Sequence, residues 1–96
     1  MLDLNAVKEH TYPIKFLGYE LNLLPCSINN LRKYARLCEE STEEEVMTLT
    51  IDTLNNNKEG IVLSAEEVGK LSLAQRDILL TSFFEWQQLI RLQNPN

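Results

Sequence analysis

Histidine, cysteine, glycine and proline are all scarce in this chain: one, two, three and three residues respectively in a total of 96. Each scarcity removes a class of function. His10, the lone histidine, has no sequence neighbour to orient it, so a surface role outweighs a catalytic one. Cys26 and Cys38 are separated and form no CxxC, and with one histidine they make a poor zinc set. Free thiols in a reducing cytosol are the expectation, with Cys38 a small buried hydrophobe on its helix. Gly18, Gly60 and Gly69 are too dispersed to cradle a phosphate. No catalytic residue, cofactor site or metal site is expected, and the chain reads as a non-enzyme.

Long apolar runs are missing too. No stretch approaches the ~18 uninterrupted apolar residues of a membrane span. The start Met1-Leu2-Asp3-Leu4 has neither a basic lead nor an apolar run, so no signal peptide is expected and the cytoplasm is the expected location.

What is present is one domain's worth of ordinary globular composition, 44% apolar and 24% charged over 96 residues. A chain this short buries roughly 60–65% of its unfolded surface, so its core is thin and a partner contributes noticeably to stability. The net charge is −5, with the excess concentrated in Glu39, Glu40, Glu43, Glu44 and Glu45. An acidic chain repels phosphate backbones, which disfavours nucleic-acid binding. The run also lacks the alternating oxygen ligands and central glycine of a calcium loop.

Residues 1–11 carry little periodicity and read as a flexible lead-in. Residues 12–24 read as a β-hairpin around Leu17-Gly18, with Ile14 and Phe16 on one face of the first strand and Tyr19, Leu21 and Leu23 on one face of the second. Such a ribbon is marginal alone and must lie against helices or another chain's strand. Residues 28–92 read as helical. Ser27 is the first N-cap, and Ile28, Leu31, Tyr34, Ala35 and Cys38 form an apolar stripe on a helix ending near Leu37 or Cys38. Ser41 or Thr42 caps a second helix, with glutamate at the capping-box spacing and Val46, Met47, Leu49, Ile51 and Leu54 facing inward. The run from Asn55 to Gly60 stops it. Ser64 with Glu67, and Ser72 with Gln75, open a short helix to about Lys70 and a long last helix. The fold class is α+β, mostly α: a short N-terminal hairpin, then three to four helices, the last one long.

That last helix, Ser72–Leu92, has more apolar surface than a small core needs. Ile78, Leu79, Phe83, Trp86, Leu89 and Ile90 fall within an arc of about 140° and form the expected core face. Leu80 and Phe84 stack one turn apart off that arc. Either the preceding short helix covers them or they form an exposed patch for a partner. Trp86 has a hot-spot residue type, although a lone tryptophan on a core-facing stripe is more often core. Arg32, Lys33 and Arg36 share one helical face, either touching an acidic partner or a few phosphates, or solvated and paired with the nearby glutamates. The partner-binding candidates are therefore Leu80, Phe84, Trp86, Arg32, Lys33 and Arg36, together with the hairpin edge.

The segment YPIKFLGYELNLLPCSINNLRKYARLC, from Tyr12 to Cys38, resembles the N-terminal part of the small tail assembly chaperones of long-tailed bacteriophages. The stretch GIVLSAEEVGKLSLAQRDILLTSFFEWQQLI, from Gly60 to Ile90, is similar to their C-terminal part, where a (S/T)xEE(V/I)xxL turn precedes a last helix. The resemblance implies a non-enzymatic protein of the bacterial host cytoplasm, from a phage or prophage. Such a protein binds the tape-measure protein, keeps its long helices from aggregating and assists assembly of the tail tube. It carries no motif of functional residues onto this chain. A homo-oligomer is possible on this reading. Two rivals remain: a small acidic inhibitor or antitoxin-like protein whose glutamate run enters a basic enzyme site, and a structural head–tail or tail completion subunit.

Overall fold

The computed structural model describes residues 10–40 and 42–93. Readings placed on residues 1–9 and Ser41, and on the side chains of Cys38, Glu39 and Glu40, lie outside what is described. The fold is α+β and mostly helical. Strands β1 (Tyr12–Phe16) and β2 (Tyr19–Leu23) are followed by helices α1 (Ile28–Glu40), α2 (Glu43–Asn55), α3 (Ala65–Val68) and the long α4 (Leu73–Gln93).

The two strands pair antiparallel within the chain, from Tyr12 opposite Leu23 to Phe16 opposite Tyr19. Their two-residue turn has positive φ at both positions, 49° at Leu17 and 82° at Gly18. This is the geometry that matches strand twist, and it favours Asn-Gly. Gly18 adopts it freely. Leu17 does so at a cost of about 1–2 kcal/mol, because a left-handed conformation brings its Cβ against the next carbonyl.

β2 is the inner strand of this small sheet. Asn22 points its backbone away from β1: its N–H donates to Glu59 Oε1 at 2.7 Å and its carbonyl accepts from the Lys58 N–H at 2.9 Å. The Asn22 amide adds a bond to Glu59 Oε2, and Leu23 bridges to Asn57. The segment after α2 thus covers the far edge of β2. Among the described residues, none pairs with the outer edge of β1.

The asparagine run does more than stop α2. Asn55 bonds both backbone groups of Leu63. Asn56 donates to the carbonyls of Leu24 and Pro25. Asn57 is buried, donates to the carbonyls of Leu54 and Ile61, and accepts from the Ile61 N–H. Three side chains therefore tie α2, the end of the hairpin and the irregular stretch at Leu63 to one another. Gly60 turns the chain with φ 71°.

The caps fall where the sequence places them. Ser27 accepts from the Asn30 N–H, Thr42 from Glu45 and Ser72 from Gln75, while Ser64 and Glu67 complete a reciprocal capping box. The core is built from Leu21 and Leu23 of β2, Leu49 and Leu54 of α2, Leu63, Val68 of α3, and Leu80, Phe83 and Phe84 of α4.

Two helix faces differ from expectation. In α1, Leu31, Tyr34 and Leu37 pack on the core, whereas Ile28 and Ala35 are exposed. In α4 the stripe against the core is Arg76, Leu80, Phe83, Phe84 and Gln87, at i, i+4, i+7, i+8 and i+11. Leu80 and Phe84 are buried, at 4% and 1% exposure, and so form no surface patch. The Tyr34 ring of α1 stacks on Phe84. Ile78 and Leu89, placed on the core arc from sequence, are instead 66% and 56% exposed.

Candidate functional site: a groove between the hairpin and the last helix

The inward stripe of α4 carries two polar residues because both find partners. The Gln87 Oε1 accepts from the Cys26 N–H at 2.9 Å, fastening the end of the hairpin to α4. Arg76, whose side chain is only 12% exposed, pairs through both terminal nitrogens with the Glu43 carboxylate in the first turn of α2. Its Nε is buried without a hydrogen-bond partner among the described residues. With these anchors inward, Phe83 of the apolar arc lies in the core and Leu79 and Trp86 pack against it, while Ile78 and Leu89 are turned out to solvent.

That arc faces β1. Tyr12 meets Phe83 edge-on, with ring centroids 6.1 Å apart, and Trp86 at 5.3 Å. β1 therefore runs toward the start of α4, which brings Phe16 to the end where Leu71 and Gln75 lie. Between strand and helix lies a groove of about 260 Å³, floored by apolar side chains that include Ile14, Phe16, Leu71, Ile78 and Leu79. Lys15 lies on its strand side, and Gln75 and Ser82 on its helix side. Ile78 lines the groove while largely open to solvent, and Leu89 extends the same exposed face three turns farther along α4.

Lys15 is the charged residue among those lining the groove. Among the described side chains of α4, Asp77 and Glu85 are exposed, and Arg76 is drawn away to Glu43. On the strand, Lys15 pairs loosely with Glu20 at 3.7 Å.

The outer edge of β1 is poorly suited to adding another strand. Asn22 directs its backbone groups away from β1, so its register partner Pro13 directs its own away from β2, and Lys15 does likewise. Proline offers no N–H there, and Lys15 places a charge beside it. Both are features that discourage edge pairing. The groove is read by side chains, not by a β-ladder.

Of the residues singled out from sequence, Trp86 lies half-buried beside the groove, against Tyr12 and Phe83. Arg32, Lys33 and Arg36 are exposed on α1 and do not line the groove. Of the described part of the glutamate run, Glu43 holds Arg76 and Glu45 belongs to the Thr42 cap. Sequence reasoning missed Ile78 and Leu89 as surface residues. The available signal was that the stripe at Leu80, Phe83, Phe84 and Gln87 has spacing as regular as the one chosen.

The titratable groups perturbed by the fold are structural. The Ser64 N–H, and then the Tyr19 hydroxyl, hold the Glu67 carboxyl below the usual range. The backbone and side-chain amides of Asn22 do the same for Glu59. The bond to Glu67 raises Tyr19, and burial raises the Cys26 thiol. Among the described residues no group of three or more histidine, cysteine or acidic side chains is arranged to hold a metal, and no helix is long and apolar enough to cross a membrane. Comparison with known proteins finds no matching family model, no matching curated protein and no matching solved structure.

Proposed function

We propose that this chain is a non-enzymatic binding protein that holds an apolar, base-flanked helical segment of a protein client in the groove between β1 and α4. The observation that carries this reading is the facing of α4, which leaves Ile78 in the groove at 66% exposure and Leu89, three turns farther along the same face, at 56%. An exposed large apolar side chain lining a cleft that is itself mostly apolar is the kind of surface a partner covers. The guarded edge of β1 favours a helix laid in the groove over an added strand. Exposed Asp77 and Glu85, within a chain of net charge −5, favour lysine and arginine on the client's flanks.

The resemblance to phage tail assembly chaperones supplies the finer reading: the client is a tape-measure protein, whose long helices need such cover before the tail tube assembles. Titration calorimetry tests both levels, run with purified segments of a neighbouring reading frame if that frame encodes a long helical protein. The Ile78→Ser, Leu89→Ser double variant should lose binding while keeping its fold. Undiminished binding by that variant sinks the groove. A toxin or nuclease as the encoded neighbour sinks the chaperone identity and leaves the groove standing.

A further inference from the structure

Leu17 is out of place by every internal criterion. It occupies the first position of a turn in which both residues have positive φ, where asparagine, aspartate or glycine is the unstrained choice. Its side chain is 50% exposed and does not join the apolar residues packed on the core. The turn is not crowded either: a Cβ placed on Gly18 meets no atom within 4 Å. Neither backbone geometry nor core packing accounts for a leucine here. Strain held at an exposed position, without an internal return, is a mark of a contact residue.

Its location suggests what it contacts. Phe16, the preceding residue, lines the groove at the end shared with Leu71 and Gln75. Leu17 follows Phe16 directly in the chain, so the hairpin tip sets an exposed apolar side chain at the chain position adjoining that end of the groove. We infer that Leu17 is an anchor residue for the client, a hydrophobic tip that grips the end of the bound segment, kept at the expense of the turn's own stability. This rests on the groove reading and adds a residue that the groove itself does not contain.

The two roles of Leu17 pull in opposite directions, which makes the inference testable. Leu17→Asn relieves the left-handed strain and should raise the melting temperature by about 3 °C or more. It should also weaken binding about tenfold or more. Leu17→Met, which stays apolar and strained, should bind like the parent and melt no higher. The probe is a synthetic helical peptide of about 20 residues, with leucine at i, i+3, i+4 and i+7 and lysines on the flanks. Binding is followed by calorimetry and by the fluorescence of Trp86. If the parent and Ile78→Ser differ but Leu17→Asn binds as tightly as the parent, Leu17 is no anchor and the groove stands. A melting temperature that falls in Leu17→Asn also overturns the inference, because the leucine then serves the fold. If the parent does not bind the peptide at all, the groove and the anchor fail together.

Discussion

The Tyr34 and Phe84 rings stack with centroids 4.1 Å apart and planes 9° from parallel, so α1 closes over the face of α4 that carries Leu80 and Phe84. This contact decides where an interface can and cannot lie. With Phe84 at 1% exposure and Ile78 at 66%, the two residues exchange the roles that hydrophobic periodicity alone gives them.

Truncating the stacked ring should therefore be a stability mutation. Phe84→Ala is expected to cost about 3–5 kcal/mol and Leu80→Ala about 2–5, each leaving a cavity in a close-packed core. Ile78→Ser should stay within about 0.5 kcal/mol. Urea unfolding followed by circular dichroism ranks the three. A Phe84→Ala midpoint equal to that of the parent would contradict the stacked arrangement.

Asn57 uses both amide hydrogens and its oxygen, with carbonyl partners at 2.8 Å on either side. Asn57→Ala leaves two buried carbonyls and one N–H without partners and is expected to cost about 2–3 kcal/mol. Asn57→Asp should cost more, because it aims an acceptor at those same carbonyls. Near-equality of Asp and Ala in chemical denaturation would show that the amide hydrogens contribute little.

Acid should loosen the hairpin's attachments before it unfolds the rest. Glu59 and Glu67 both have carboxyl groups held below their ordinary range by donors on Asn22, Ser64 and Tyr19. A depressed folded value means that each contribution is complete above the unfolded pKa of about 4.3 and is lost as the pH falls through the folded value. Tyr19 has the opposite sign: raised by Glu67, its contribution is whole below about pH 10 and disappears as the pH rises past its folded value. Unfolding midpoints recorded from neutral pH down to about pH 2.5 should fall less steeply in Glu67→Gln and Glu59→Gln than in the parent.

The ion pair of Arg76 and Glu43 gives a salt-dependent test. Glu43 is largely exposed but its partner's side chain is only 12% exposed, so screening is incomplete. Glu43→Gln should destabilise by about 1 kcal/mol, and Glu44→Gln by less than about half that. The gap between the two variants should narrow in 1 M salt.

Hairpin, caps and helix order were legible in the sequence because they follow from local rules: period-two alternation around Gly18, and serine or threonine three residues before a glutamate or glutamine. The facing of α4 was not. Apolar counting selects Ile78 to Ile90, yet Arg76 and Gln87 belong to the buried stripe because Glu43 and the Cys26 N–H await them. Partners distant in the chain leave no trace in periodicity. The asparagine run was legible as a turn but not as a junction, since its three side chains bond backbone groups of Leu63, Pro25 and Leu54, on three different segments. The groove follows from the same facing of α4 and was hidden with it.

The bridge from Leu23 to Asn57 has all of α1 and α2 lying between its ends in the chain, so β2 is expected to dock late in folding. A two-residue hairpin closes in microseconds but has little reason to persist by itself. Its inner strand gains a second neighbour only after a long loop has closed, and that closure is slow compared with helix formation. Amide protons of Leu24 and Lys58, which seal this junction from opposite sides, should then exchange through one shared opening with the last turn of α2. On this order of events the groove wall formed by β1 is set in place only after the helices have docked, so the cleft is a property of the finished fold and of no earlier state.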